Sequence, residues 1–186
     1  MPIDFIEHCR GCPYEGASHL DQRLSNCEAR PLNIENNDAS VLLIFQSPGE
    51  NEWRSKRPVS SLDEASVAGR FRRAFKKTNT SRANFDITNA VQCYQGKALS
   101  RGQEAPRDKK PSEAARKRCS HWLKLDIESH DYARIVVFGS VAKRSVRDLD
   151  CFPEAKVTYL LHPSGGLSNE KLFAALVDPD SGSDDQ

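Results

Sequence analysis

The sequence predicts an α/β domain, a three-layer αβα sandwich built on a central four-stranded parallel sheet. Three observations point there. Four short runs rich in β-branched and aromatic residues, at 40–46, 85–91, 134–139 and 156–161, have the length of strands rather than of helices. Stretches with helical periodicity separate them, and strands alternating with helices form βαβ units with right-handed crossovers. The first run, Val41-Leu42-Leu43-Ile44-Phe45, is apolar at every position, as suits a central strand buried on both faces.

Residues 1–40 have no long period and carry Cys9, Cys12 and Cys27 among the turn formers Pro13, Gly16, Pro31 and Asn36-Asn37. They read as an irregular cap with at most short helices, one over 17–28. The first strand ends at Gln46-Ser47 and then Pro48-Gly49, a tight turn, and 47–60 reads as a polar loop with an exposed Trp53 and a basic end. Ser61, with Glu64 three residues on, offers a helix cap, and Leu62, Ala65, Val67, Ala68, Phe71 and Phe75 keep one face through Lys77. After the second strand, 92–110 is a long basic loop containing Cys93, Gly96, Gly102 and Pro106. Pro111 opens a helix to about Ser129 through Cys119, Trp122, Leu123 and Ile127; a proline is tolerated there because no intrahelical N–H is lost. The third strand leads into a helix over 140–148. The fourth leads into His162-Pro163-Ser164-Gly165-Gly166 and a closing helix over 169–176. The chain reads as one domain over 1–177 followed by an acidic, disordered tail over 178–186.

A chain of 186 residues can bury about 70% of the surface its unfolded form exposes, enough for a core of its own. Its 38% hydrophobic and 28% charged residues fit a globular protein, and no run approaches the ~20 apolar residues of a membrane span. The start lacks the basic head and apolar segment of a secretory leader, so a cytoplasmic location is expected, and the protein is expected to be a monomer. The formal net charge is +1, yet Asp178, Asp180, Asp184 and Asp185 all lie in the tail; without them 27 basic residues face 22 acidic ones, a net +5. Arg54, Lys56, Arg57, Arg70, Arg72, Arg73, Lys76 and Lys77 cluster along the chain, which fits either a polyanionic partner or solvated helix faces. Six cysteines without a leader argue for metal binding or buried thiols rather than disulfides, and Cys9 and Cys12 have the C-x-x-C spacing that lets two thiolates converge on one metal.

Polar residues mark three strand ends: Gln46-Ser47-Pro48-Gly49, Asn89, and His162-Pro163-Ser164. Taken singly, such residues are commonly turn or capping residues. In this order, with C-x-x-C before the first strand, Asn89-Ala-Val-Gln-Cys93, Pro111 through Cys119, and Phe138-Gly139-Ser-Val-Ala142, the chain from Cys9 to about Leu176 resembles the uracil-DNA glycosylase superfamily, most closely its iron–sulfur family-four and family-five enzymes. The resemblance implies a uracil-DNA glycosylase-like fold and hydrolysis of the N-glycosidic bond of uracil or a related altered base in DNA, single- or double-stranded. It assigns His162 to stabilise the departing base anion, and Gln46 and Ser47 to hold the attacking water. Asn89, with Phe45, Gly49, Val59 and Ser164, would hold the base. Arg54, Lys56, Arg57, Gly165 and Leu167 would contact DNA, Leu167 as the residue wedged into the duplex. Cys9, Cys12, Cys93 and Cys119 would hold a 4Fe-4S cluster, or less often zinc, while Cys27 and Cys151 read as small buried hydrophobes.

The chain departs from the family pattern at the first motif. Where the family-four motif has Gly-Glu, this sequence has Phe45-Gln46, and the position of the family-one aspartate falls on Ser47, which is no general base near neutral pH without help. An aromatic that stacks on uracil is replaced by Val59, and Phe45 or Trp53 would have to supply the ring face. Two other readings therefore stand beside a working glycosylase: a catalytically impaired, DNA-binding relative with a structural cluster, and a zinc-stapled α/β protein with a small-molecule pocket.

Overall fold

The structure is a computed structural model and describes Cys9, Cys12 and residues 31–100, 103–149 and 156–177. The expected helix over 17–28, Cys27, Cys151 and the acidic tail lie outside the described residues. In chain order the elements are β1 (Val41–Phe45), α1 (Glu50–Ser55), α2 (Val67–Thr78), a 3-10 turn (Arg82–Asn84), β2 (Asp86–Asn89), β3 (Lys97–Ser100), β4 (Gln103–Asp108), α3 (Glu113–Glu128), β5 (Arg134–Phe138), α4 (Ser140–Leu149), β6 (Val157–Leu160) and α5 (Asn169–Leu176).

The four apolar runs form one parallel sheet in the order β2-β1-β5-β6. Strand alternation splits the core in two. Val41, Leu43, Phe45, Val136 and Phe138 face a layer built by α2 and α5, through Phe71, Ala74, Phe75, Leu172 and Leu176. Leu42, Ile44, Ile135 and Val137 face Leu123 and Ile127 of α3 and Ala142 and Val146 of α4. This is the expected αβα sandwich. Asp86, fully buried, accepts hydrogen bonds from the Asn37 and Ala39 N–H groups at 2.7 and 3.2 Å and from the Tyr132 hydroxyl at 2.7 Å, tying the segment before β1 to β2 and to the approach to β5. No helix among the described residues is long and apolar enough to cross a membrane.

Three expectations are corrected. The loop over 47–60 contains α1, which starts after the extended Gly49 with Glu50 and Glu52 in its first turn, where the helix dipole favours acids. Trp53 on that helix is 1% exposed, not exposed as expected, and Lys56 lies over its ring at 4.7 Å. Next, α2 is capped by Ser66, whose hydroxyl accepts the Gly69 N–H at 3.1 Å, not by Ser61. The stretch before it crosses the first turn so closely that a Cβ on Gly69 would collide with the Glu64 carbonyl. Finally, the basic loop over 92–110 holds the antiparallel hairpin β3–β4, with a register shift between Lys97 and Leu99. Its charged sequence lacks the apolar alternation that announces a strand.

Candidate active site at the carboxyl edge of the sheet

The register fixes where the strands end. Phe45 pairs with Asn89, Ile44 with Val137, and Phe138 with Leu160, so Asn89, Phe45, Phe138 and Leu160 form one row across the sheet. From β2 the chain crosses to the far side of β1, so the order reverses between β1 and β5, and the crevice beyond their carboxyl ends is where open α/β sheets collect ligands. Asn89 and Leu160 stand at the two ends of the row, ~14 Å apart at strand spacings of ~4.8 Å.

Asn89 is 3% exposed, and among the described residues no hydrogen bond engages its side-chain amide. The neighbouring backbone is held instead: the Ala90 and Val91 N–H groups donate to the carbonyls of Phe45 and Gln46 at 2.8 and 3.0 Å, which stitches the ends of β2 and β1 together. A buried amide with donor and acceptor unspent is costly unless a ligand fills it. One strand position earlier, Thr88 donates to Asp126 of α3 at 2.5 Å, and Gln92 donates to the same oxygen at 2.8 Å. Burial pushes the Asp126 carboxyl up to about 6 against these two hydrogen bonds.

His162 comes from the other end of the row. Its Nδ1 accepts the Ser164 N–H at 3.2 Å and lies 2.7 Å from the Ser164 hydroxyl, so the ring hydrogen sits on Nε2. Burial, and after it the charge of Lys110, pulls its pKa below the ordinary histidine value, which keeps the ring neutral. The imidazole leans inward over the end of β5: a Cβ on Gly139 would stand 3.2 Å from His162 Cβ and Cδ2, and Gly139 has φ of +90°, so the position requires glycine on both counts. Arg70 of α2 braces this loop from beneath, donating to the carbonyls of Pro163 and Leu167 and to Asn169 Oδ1 at 2.9 Å.

At the first-strand turn, Gln46 and Ser47 are half-buried beside the row. Glu52 folds back on this turn: a Cβ on Gly49 would lie 2.6 Å from Glu52 Oε2 and 3.0 Å from Asp108 Oδ2. Burial, helped by the Asp108 charge and opposed by hydrogen bonds from the backbone of Glu52 and Gly49, raises the Glu52 pKa. The neighbouring acids are neutralised: Glu50 by Arg54 at 2.9 Å, and Asp108 by Lys97 at 2.7 Å.

Other expected residues fall elsewhere. Phe45 is a core ring, stacked on Phe138 at a centroid distance of 4.9 Å and met edge-on by Phe71 at 5.2 Å. Leu167 is 5% exposed within the α2–α5 core and cannot serve as a wedge into a duplex; Leu161, just ahead of His162, is 61% exposed. Arg54 and Arg57 are exposed but paired with Glu50 and Glu35, and Gly165 lies exposed in the turn, its N–H donating to the His162 carbonyl at 2.8 Å. Val59 is buried with φ of 47°.

The four cysteines are brought into one neighbourhood. Cys93 and Cys119 are buried, and Cys9 packs against the cluster of Val91, Ala115, Cys119 and Trp122. Burial pushes both buried thiols up, Cys119 to about 12, and the charges of Cys9 and Cys12 add to the effect on each. Two buried thiols with two half-buried ones beside them suit a cationic centre that would hold them as thiolates. Among the described residues, no group of three or more His, Cys, Asp or Glu side chains is arranged to hold a metal ion as it stands.

Glu52 stands near the motif in sequence, but nothing in the sequence places it at the sugar, and Arg70, Asp108, Lys110 and the Arg82–Glu35 pair carry no sequence signal as site residues. Lone charged residues carry no period, and only tertiary structure brings these to the site.

Fold and edge together define an α/β domain whose central strands end in a row with a buried asparagine at one end and, just beyond the other, a histidine of lowered pKa. A family model of the uracil DNA glycosylase superfamily matches residues 32–178, and the chain belongs to that superfamily. No curated protein matches the chain in sequence.

Proposed function

We propose that this protein is a DNA glycosylase that hydrolyses the bond between uracil, or a related altered base, and deoxyribose, and that it is of the iron–sulfur type. The observation that carries the reading is the unspent amide of Asn89, buried at one end of the row of strand ends that leads at its other end into His162. An amide can donate to and accept from the edge of a pyrimidine at once. As the glycosidic bond breaks, its electron pair goes to the base, and the Nε2–H of His162 donates to the oxygen that gains charge. A donor of this kind is worth about 10²–10³ in rate. Water adds to the sugar carbon and must lose a proton. Ser47 does not take it; Glu52 is the nearby carboxylate outside any ion pair among the described residues, and its raised pKa suits a base working near neutral pH.

The base must leave the stack before it reaches this crevice, at a cost of a few kcal/mol that phosphate contacts offset. Arg107, Lys109 and Lys110, exposed at the end of the β3–β4 hairpin, add to Arg54, Lys56 and Arg57 as candidates for those contacts. Cys9, Cys12, Cys93 and Cys119 would hold the cluster. Its contribution is structural: it would join the N-terminal segment to α3 and to the segment that follows Asn89.

A glycosylase assay over uracil, deaminated purines and larger altered pyrimidines, in single- and double-stranded DNA, tests the reading. Release of none of them by protein carrying its metal sinks it. Ser47 at the acid position favours a second reading, a DNA-binding relative without activity. That reading requires salt-dependent DNA binding and no base release from either the wild type or His162→Ala.

A further inference from the structure

Arg82, in the 3-10 turn ahead of β2, uses its guanidinium within the protein. Nε and Nη2 donate to the two oxygens of Glu35 at 2.7 and 2.6 Å, Nη1 donates to the Val59 carbonyl at 2.7 Å, and Nη2 also meets the Pro58 carbonyl. Glu35 is itself fixed. Its backbone bridges Ile87 of β2 through hydrogen bonds of 2.9 and 3.0 Å, and Arg57 closes its outer side with contacts of 2.8 and 2.9 Å. Burial pushes the Glu35 carboxyl up, but the hydrogen bonds and charges of Arg82 and Arg57 override it and hold the pKa at about 2, so the clamp stays ionised through any assay range.

The clamp grips an unfavourable backbone. Val59 has φ of 47°, the left-handed region, which a β-branched residue takes only when its surroundings over-determine it. The Val59 side chain is buried in the cluster that holds Phe45 and Phe138 at the ends of β1 and β5 and Leu167 behind the histidine loop. A glycine would adopt this turn without help. A valine kept here needs a brace, and in return its side chain fills the core beneath the ends of β1 and β5.

We propose that Arg82 is a positioning residue for the crevice: its fork on the Pro58 and Val59 carbonyls, backed by Glu35, holds Val59 in the left-handed conformation and so fixes its place in the core that carries Phe45 and Phe138 at the ends of the two central strands. The inference rests on the glycosylase reading for its functional meaning. Single-turnover release of uracil from DNA is the test, comparing Arg82→Ala in the native background and in a Val59→Gly background. Release falls about tenfold in the first, as the strain of a left-handed non-glycine residue predicts, and within about twofold in the second, because glycine carries no such strain. Arg82→Lys does not restore the rate, since an ammonium cannot reproduce the planar fork. Glu35→Gln, which leaves the carbonyl contacts unbacked, gives a smaller loss of the same sign. Equal losses in both backgrounds, or lower thermal stability with unchanged release, overturn the proposal. If the wild type releases no base, the glycosylase reading fails by itself, and NMR of residues 58–60 decides the clamp: a change of backbone angle at 59 in Arg82→Ala supports it, and an unchanged angle overturns it.

Discussion

Two loops close over the carboxyl edge of the sheet, and each hangs from an arginine. The histidine loop is short, carries His162-Pro163-Ser164 intact, and is held by Arg70 through two carbonyls and one asparagine side chain, all neutral partners. The loop after β1 departs from the family pattern at Gln46, Ser47 and Val59, and Arg82 holds it through two carbonyls and a carboxylate that a second arginine shares. The loop that has drifted in sequence is the one with the ionic brace. Lost motif residues therefore need not mean a loosened site.

Removing the chemistry of each loop in turn tests this contrast most severely. His162→Ala lowers base release about 10²–10³-fold while DNA affinity is unchanged; a loss of affinity instead would show that the histidine loop binds rather than reacts. Glu52→Gln costs about 10²-fold. In the wild type the rate falls on acidification, because Glu52 with its raised pKa takes up a proton, and this acid limb vanishes in the glutamine variant. An unchanged limb would return the first loop to a holding role.

Subtler changes sharpen the comparison. Arg70→Ala costs about tenfold through misplacement of His162, and a rescue parallel to that expected for Val59→Gly is absent, since no left-handed non-glycine residue lies in the histidine loop. Asp126 of α3, bonded to Thr88 and Gln92, tests the β2 end of the edge. Its folded pKa of about 6 exceeds the ordinary 3.8, so the stability linked to it is present in full below pH 3.8 and is lost as pH rises through 6. The loss is roughly 3 kcal/mol at 1.36 kcal/mol per unit. Unfolding of Asp126→Asn in urea should show this slope flattened. The smallest effect is electrostatic: Lys110→Ala raises the His162 pKa, seen in its NMR titration, because one of the two influences depressing it has gone.

The sheet was legible because apolar runs of strand length bounded by turn formers are hard to read otherwise, and α5 falls on the residues its period marks, Asn169–Leu176. The helix α1 was not legible, since six residues with one buried tryptophan hold no period. Asn89 and His162 were found through a motif, and their places at opposite ends of one row follow from parallel register. Leu167 misled because its spacing after the histidine suggested a wedge, whereas Arg70 draws its carbonyl down and the side chain into the core. The arginine forks depend on partners 23 and 93 residues away, a separation no local pattern encodes.

The bridge between Glu35 and Ile87, with the Leu32 N–H on the Gln92 carbonyl at 2.7 Å, lays the stretch before β1 along the outer edge of β2. An uncovered strand edge is a template for pairing with another chain. A shortened protein beginning at residue 40 would keep every strand of the sheet and yet expose one to its neighbours. For anyone trimming this domain for crystals or for fusion, the stretch from Leu32 has to stay, and the place to cut lies ahead of Cys9 so that the four cysteines are kept together; a piece that begins after Leu32 is expected to associate with itself.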